Sequence, residues 1–335
     1  MAVLAVTNPT LLDLARMSGA DGKIETIIEI LNETNEILED MSWVEGNLPT
    51  GHRTTIRAGL PAPTWRKLYG GVLPNKGTTV QITDTTGMLE AYAEVDKALA
   101  DLNGNTAAFR LSEDKAHIEG MNQEVARALF FADESTTPEK FTGFAPRFNS
   151  LSAPNAENII NAGGTGTDNT SIWLVVWGPN TVHGIVPKGS KAGLLVEDKG
   201  QVTLENASNG NDFPGRMEAY RTHYRWDVGL TVRDWRYVVR IANIDKSDLV
   251  RTAATGAYIA DLMVQAEERI PNLNAGRAVW YVSRSIRGMM RRQSIGTTAN
   301  STLTQENQAG KMVTYFDGIP VRRVDQLAAD EAKVV

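Results

Sequence analysis

Few residues of this chain are of types that could do chemistry. His52, His117, His183 and His223 lie far apart in sequence, with no His-x-x-x-His or His-x-His pair, and cysteine is absent. The missing thiols remove disulfides, thiolate zinc sites, iron–sulfur clusters and cysteine nucleophiles together. Histidine spacing argues against a His-rich metal site, which leaves carboxylates alone as ligands for a hard cation such as calcium. Gly163-Gly164-Thr165-Gly166-Thr167 has the glycine content of a phosphate cradle. Asn169, however, stands where the third glycine belongs, and a strand rather than a helix is expected after it, so the segment reads as a surface loop. In Gly184–Lys191 the lysine follows Ser190 instead of preceding it, and its ammonium would not reach β/γ-phosphates.

Nucleophilic and acid–base sets are equally thin. No Gly-x-Ser-x-Gly elbow occurs. The adjacent acids Glu267-Glu268 and Asp330-Glu331 would diverge on a helix and read as solvated. His117 falls in a helical pattern and reads as a surface or interface histidine. Arg269, Arg277, Arg284, Arg287, Arg291 and Arg292 share a stretch, 269–305, without one acid. The guanidinium fork suits phosphates and carboxylates, so the stretch fits either bulk DNA or acidic neighbours; no sequence-specific nucleic-acid signature accompanies it. The residues thus offer no catalytic set, no cofactor site and no metal site.

The elements around these residues belong to a large folded protein. There are 335 residues with 42% hydrophobic and 22% charged side chains and a net charge of −6. That composition supports a sizeable core, with room for about two domains or one elaborate one. The opening Met-Ala-Val-Leu-Ala-Val is too short for a secretory core and meets Thr7-Asn8-Pro9 at once, so folding in the cytosol is expected. The longest apolar run, Ile172–Trp177, falls far short of the about 20 residues that span a bilayer.

Helical and strand periodicities alternate irregularly. Thr106–Ala132 carries the longest helical signal, with Leu111, Ile118, Met121, Val125, Leu129 and Ala132 on one face and Gly120 inside as a mark of close packing. Ile172–Trp177 reads as a buried strand. Val228, Leu230 and Val232, then Trp235, Tyr237, Val239 and Ile241, read as strand with a bulge or bend near Asp234. A helix over 256–270, a strand at Ala278–Ser283, a short helix at Ile286–Arg292 and a last strand at Tyr315–Val324 follow. No repeat emerges. The fold class is α+β.

Two limbs of opposite sign stand out. Residues 1–45 are acidic, net −7, and Lys23–Asp40 places Ile24, Ile27, Ile28, Leu31 and Leu38 on one helical face. Residues 46–83 carry Arg53, Arg57, Arg66, Lys67 and Lys76 and no acid, net +5. Pro49, Pro61, Pro63 and Pro74 exclude a helix there, and the Thr-, Val- and Ile-rich flanks His52–Arg57 and Thr78–Thr86 predict a two-stranded arm with a proline-rich distal part. Such a hairpin is marginal alone and should rest on something else. The acidic limb of one chain, with Glu29, Glu33 and Glu36 among its acids, could meet the basic hairpin of another.

At this point the sequence resembles the major capsid proteins of tailed double-stranded DNA phages with the Hong Kong 97-type fold, most of all those of short-tailed phages of the epsilon 15 kind. The likeness is carried by TNPTLLDLA, KIETIIEILNETNEILEDMSWVEGNLPTGHRTTIRAGLPAPTWRKL, GMLEAYAEVDKALADLNGN, FTGFAPRFNSL, NTSIWLVVWGPNTVHGI, WDVGLTVRDWRYVVRIANID and YFDGIPVRRVDQL, spread over nearly the whole chain. It implies an N-terminal arm (1–45), an extended loop (46–95), a peripheral domain on a long spine helix (96–149), an axial domain (150–310) and a returning peripheral strand with the C-terminal tail (311–335). It further implies a non-enzymatic subunit of pentamers and hexamers in an icosahedral shell, assembled in the host bacterial cytoplasm with a scaffolding protein and a portal. A decoration protein and non-specifically held double-stranded DNA are further implied partners, with no membrane. No coiled-coil leader precedes the arm, as in members that use a separate scaffold. Some relatives weld subunits through an extended-loop lysine; Lys67 and Lys76 lie on the loop, and without an assigned asparagine and glutamate they read as electrostatic contacts. The competing expectations are a hydrolytic enzyme on an α+β fold and a tail or decoration protein forming small rings.

Overall fold

The computed structural model describes residues 35–102, 106–207, 215–249, 257–296, 303–308, 311–327 and 330–335. In chain order these form α1 (Ile37–Asp40), β1 (Trp43–Glu45), β2 (Gly51–Gly59), β3 (Thr78–Asp96), α2 (Lys97–Ala100), α3 (Thr106–Phe131), α4 (Phe144–Arg147), β4 (Ile159–Asn161), β5 (Asn169–Trp177) and β6 (Val182–Val186). Then come β7 (Leu195–Ala207), β8 (Gly215–Val232), β9 (Val238–Asp245), α5 (Ile259–Glu267), β10 (Arg277–Val282), α6 (Arg284–Gly296), β11 (Leu303–Gln308), β12 (Lys311–Phe316) and β13 (Ile319–Arg323). The expected α+β class is what these elements make.

They divide into two units. One holds residues 88–125 and 193–227; the other holds the described parts of 35–87, 126–192 and 228–335. The larger unit is organised by β5, every residue of which is buried. Its sequence, NTSIWLVVW, is apolar on both faces, as a strand covered on both sides must be. It pairs antiparallel with β10 (Trp280 opposite Leu174) and with β9 (Val239 opposite Leu174). β9 pairs parallel with β4, β10 parallel with β13, and β13 antiparallel with β12. One face of this sheet meets α5 and α6 through Ile172, Leu174, Ile241, Ile259, Met263, Trp280 and Ile286. An aromatic cluster of Phe130, Phe144, Phe148, Trp173, Trp177 and Tyr281 packs ring to ring at centroid distances near 6 Å.

In the smaller unit β7 and β8 form a long antiparallel ladder, Leu195 opposite Arg225 through Ala207 opposite Gly215. Small clusters, Val95, Leu99, Ala100 and Phe109 in one and Ala93, Met121 and Tyr224 in the other, fasten the adjoining helices and strand. Asp96 caps α2, its Oδ1 accepting from the Ala98 N–H at 2.8 Å.

Several sequence expectations need correction. The phase slip near Asp234 is no bulge: β8 ends at Val232, a 3₁₀ turn fills Trp235–Tyr237, and β9 is a separate strand buried at every position. The last strand is a hairpin, because Asp317 (φ 45°) and Gly318 (φ 79°) take the left-handed turn that joins β12 to β13. In α3, Met121, Val125 and Leu129 are buried as expected, whereas Leu111 and Ile118 are exposed and Phe109 takes the inward place. Gly120 marks no close packing, since a Cβ there would meet nothing within 4 Å. The helix expected over 256–270 is α5, Ile259–Glu267. Glu267 and Glu331, read as solvated, are both buried.

Candidate functional site

The basic hairpin is the feature with the most exposed chemistry. Its two strands, β2 and β3, pair antiparallel from Gly51 opposite Thr85 to Gly59 opposite Thr78, with a register shift between Arg57 and Gly59. Alternating Thr, Ile and Arg give the strand pattern, and Pro61, Pro63 and Pro74 stop the ladder beyond Gly59 by removing donors. From residue 60 to 77 the chain turns without strand or helix; Tyr69 sits at φ 61° and the Gly70 N–H donates to the Lys67 carbonyl at 3.0 Å. Asn75 closes the loop across its neck onto the Ala62 carbonyl.

Every predicted cation of this limb, Arg53, Arg57, Arg66, Lys67 and Lys76, is exposed. Arg53 is steadied by Asn47 and by Thr83 Oγ1 at 3.2 Å. Leu60, Trp65, Leu68, Tyr69 and Leu73 are also exposed, each at more than four-fifths of its surface. Sequence reading found the charges and missed this apolar tip, although Trp-x-x-Leu-Tyr in a proline-rich loop was there to be seen.

The hairpin root is built differently. Gly51 is packed so closely that a Cβ would lie 2.1 Å from the Asp84 carbonyl oxygen. Asp84 is buried and its Oδ1 receives Arg147 Nη2 at 2.8 Å; the same guanidinium also donates to the Thr142 and Leu230 carbonyls. His52 on β2 and His183 on β6, far apart in sequence, come together with ring centroids 5.8 Å apart. Burial, then His52 and Arg233, depress His183 to about 4, and burial also lowers His52. These groups hold the root; none is arranged around a cleft.

The acidic limb enters the described residues only at its end. Glu29 and Glu33 lie outside them. Glu36 is engaged within its own chain, accepting from the Arg323 N–H at 2.9 Å while its own N–H donates to the Arg323 carbonyl. Asp40 is buried between Arg277 and Arg322, and Tyr281 Oη donates to it at 3.3 Å. Burial pushes its carboxyl up, against the two guanidiniums that pull it down.

The remaining candidates resolve as structure. Gly164 packs against Asn243 and Asp245, and the Gly166 N–H is taken by Asp245 Oδ2 at 3.0 Å, so the glycine loop presents an amide already occupied by a carboxylate. The near-Walker segment is β6 and a turn whose Gly189 N–H donates to Glu45. In the arginine-rich stretch, Arg277 meets Asp40, Arg284 meets Asp325, and Arg269 donates to the Glu157 and Ile159 carbonyls. Acidic neighbours and carbonyls occupy these forks. Among the described residues there is no cluster of three potential metal ligands and no helix long and apolar enough to cross a membrane.

One concavity belongs to the smaller unit alone. A groove of about 370 Å³ is lined by Leu89, Glu90, Ala91, Ala116, His117, Gly120, Met121 and Glu124. His117 stacks on Tyr224 (13° between planes, centroids 5.8 Å), and Tyr224 Oη donates to Asp114.

The family described as major capsid protein GP7 matches residues 19–335. A chain from the near-atomic cryo-EM structure of Bacteriophage Epsilon15 is 39% identical, with TM-score 0.79 over 100% of this chain and 99% of that one. The Bacteriophage JBD30 capsid is 10% identical with TM-score 0.47, covering 96% and 99%. The capsid of a native GTA particle is 12% identical with TM-score 0.44, covering 66% and 93%. No curated protein matches the sequence.

Proposed function

The chain belongs to the major capsid protein GP7 family, and from that membership we propose that its basic hairpin and acidic arm are the contacts by which one copy holds the next. As a phage major capsid protein with the Hong Kong 97-type fold, it is a building block of the icosahedral shell of the virion. In the finer reading, residues 1–45 are the N-terminal arm, 46–95 the extended loop, 96–149 the peripheral domain on its spine helix α3, 150–310 the axial domain, and 311–335 the returning strand and tail. The interface residues are Arg53, Arg57, Arg66, Lys67 and Lys76 on the loop, with Glu29, Glu33 and Glu36 on the arm. The subunit is structural rather than catalytic. It forms pentamers and hexamers in the host cytoplasm with a scaffolding protein and a portal, then encloses double-stranded DNA held without sequence specificity; a decoration protein is a further partner.

One observation carries the reading: five cations and five large apolar side chains crowd a hairpin that buries none of them. Exposed apolar surface on this scale marks an interaction site. A single exposed ion pair contributes about 0–1 kcal/mol, but a shell repeats each contact in every subunit, and association adds apolar burial. Within its own chain the Glu36 carboxylate already accepts from the Arg323 N–H.

The test is charge reversal. Arg57→Glu, Arg66→Glu and Lys67→Glu together should abolish shells in electron micrographs and sedimentation while leaving the circular dichroism of the unassembled chain unchanged. Shells of normal yield from the triple variant would discard the electrostatic contact. Shell stability should also fall with salt, because exposed charges are screened beyond about 8 Å at physiological ionic strength.

A further inference from the structure

The hairpin tip and the groove on α3 are complementary in ways the reading above leaves unused. Gly120 lies inside a 26-residue helix, where glycine costs roughly 1 kcal/mol against alanine. Among the described residues nothing requires it, since an added Cβ would meet no atom of theirs within 4 Å. The space it leaves opens on the groove, which Gly120 lines together with Leu89, Ala91, Ala116 and Met121. Trp65 and Tyr69 are fully exposed, uncovered by any of the described residues. Indole and phenol rings supply large contact area at little entropic cost and dominate interfaces when seated in pockets. Charge matches as well: Arg66 and Lys67 follow Trp65 directly, while Glu90 and Glu124 are among the groove's lining residues, Glu90 meeting His223 and Arg225 in its own chain.

We propose that Trp65 of one copy seats its ring in the Leu89–Ala91–Ala116–Gly120–Met121 groove of a neighbouring copy, with Arg66 and Lys67 over Glu90 and Glu124. The inference rests on the loop being an intersubunit contact and names its receiving surface. Gly120 then serves as a receptor position, kept free of a side chain for a ring from outside. The contact is head-to-tail, joining different patches on the two copies, and such contacts propagate into rings or shells.

The test uses shells of native chain into which a minority of copies carrying p-benzoyl-phenylalanine at position 65 is mixed during assembly. Irradiation should give a dimer-sized band whose cross-linked peptides contain residues 89–91 or 116–124 of a native neighbour. Gly120→Leu in the native majority should reduce that band to background while the unfolding midpoint of the unassembled chain does not fall. Adducts confined to other peptides, to the same chain, or absent from well-formed shells would overturn the docking while leaving the shell itself intact. Failure of the native chain to form shells at all would instead defeat the underlying assembly reading, so the two outcomes are separable.

Discussion

Arg240 and Glu331, separated by 91 residues, form a buried ion pair with Nη2 2.6 Å from Oε2 and each side chain at most 5% exposed. Three further contacts fix the guanidinium. Nη1 donates to the Phe148 carbonyl at 2.7 Å, Nε to Ser171 Oγ at 3.0 Å, and the plane lies over the Trp173 ring at 5.1 Å. The pair pins the last residues of the chain to β5 and β9; Asn243 adds two hydrogen bonds to the Val334 backbone. Removing one partner from such a pair leaves a buried charge uncompensated, at a cost of about 3–5 kcal/mol. Glu331→Leu should therefore lower the urea midpoint of the unassembled chain sharply. Arg240→Met combined with Glu331→Leu should recover most of that loss, because apolar replacement of both partners is close to neutral. A double variant no more stable than the single one would show that the guanidinium's other bonds, not the pair, hold this region.

His183 makes the root of the hairpin sensitive to acid. Unfolded, its imidazole takes a proton near pH 6.5; folded, burial holds it to about 4. Between those values the unfolded chain binds more protons, so stability is full above about pH 6.5 and falls as pH drops toward 4. The slope is about 1.4 kcal/mol per pH unit for one proton. His52, lowered by burial as well, adds to the same sign; Arg233 opposes protonation and Asp84, shared with Arg147, favours it. His183→Gln should flatten that part of the pH dependence in urea titrations from pH 7 to 4.5. An unchanged slope would remove His183 from the account.

Glu267 works against this across the same window. Burial first, then the Asp317 carboxylate, raise its carboxyl from 4.5 to about 7. The folded chain therefore binds the extra proton, and this group's contribution is present below about pH 4.5 and lost as pH rises through 7. In the native chain the two groups offset each other. Glu267→Gln, which keeps the shape and removes the ionisation, should raise stability at pH 8 and expose the acid lability set by His183. If the variant is less stable at pH 8 than the native chain, the buried carboxylate is favourable as it stands.

How much of this was legible beforehand depends on which forces act locally. The α3 signal, the β2–β3 hairpin and the buried β5 strand were readable because periodicity and proline placement decide them within a few residues. The Asp317-Gly318 turn was written in the sequence and passed over, since Tyr315–Val324 also alternates as one strand would. Glu267, Glu331 and Arg240 could not be read as buried. Arg240 and Glu331 offset each other's desolvation across 91 residues, and Glu267 is buried against Asp317 by elements far from it in sequence; no local pattern encodes a neighbour at such a distance. The hairpin's charges were visible as composition, and its receiving groove was not, because an empty place beside Gly120 is a property of β3 and α3 together.

Two glycines separate close packing from open space and make opposite predictions. Gly51 opens β2 where the backbone of β3 approaches; a methyl group there would sit 2.1 Å from the Asp84 carbonyl oxygen and 3.1 Å from Thr85 Cα. Both are backbone atoms of a paired strand and cannot move aside without breaking the ladder at its root. Gly51→Ala should therefore destabilise by about 1–3 kcal/mol, as overpacking does, and should lower shell yield by misdirecting the hairpin. Gly120→Ala meets no atom of the described residues within 4 Å and gains the helical propensity of alanine, about 1 kcal/mol. Urea midpoints of the two unassembled variants should move in opposite directions from the native value. If both fell together, the free space beside Gly120 would not exist in solution, and the hairpin of a neighbour would have no seat there.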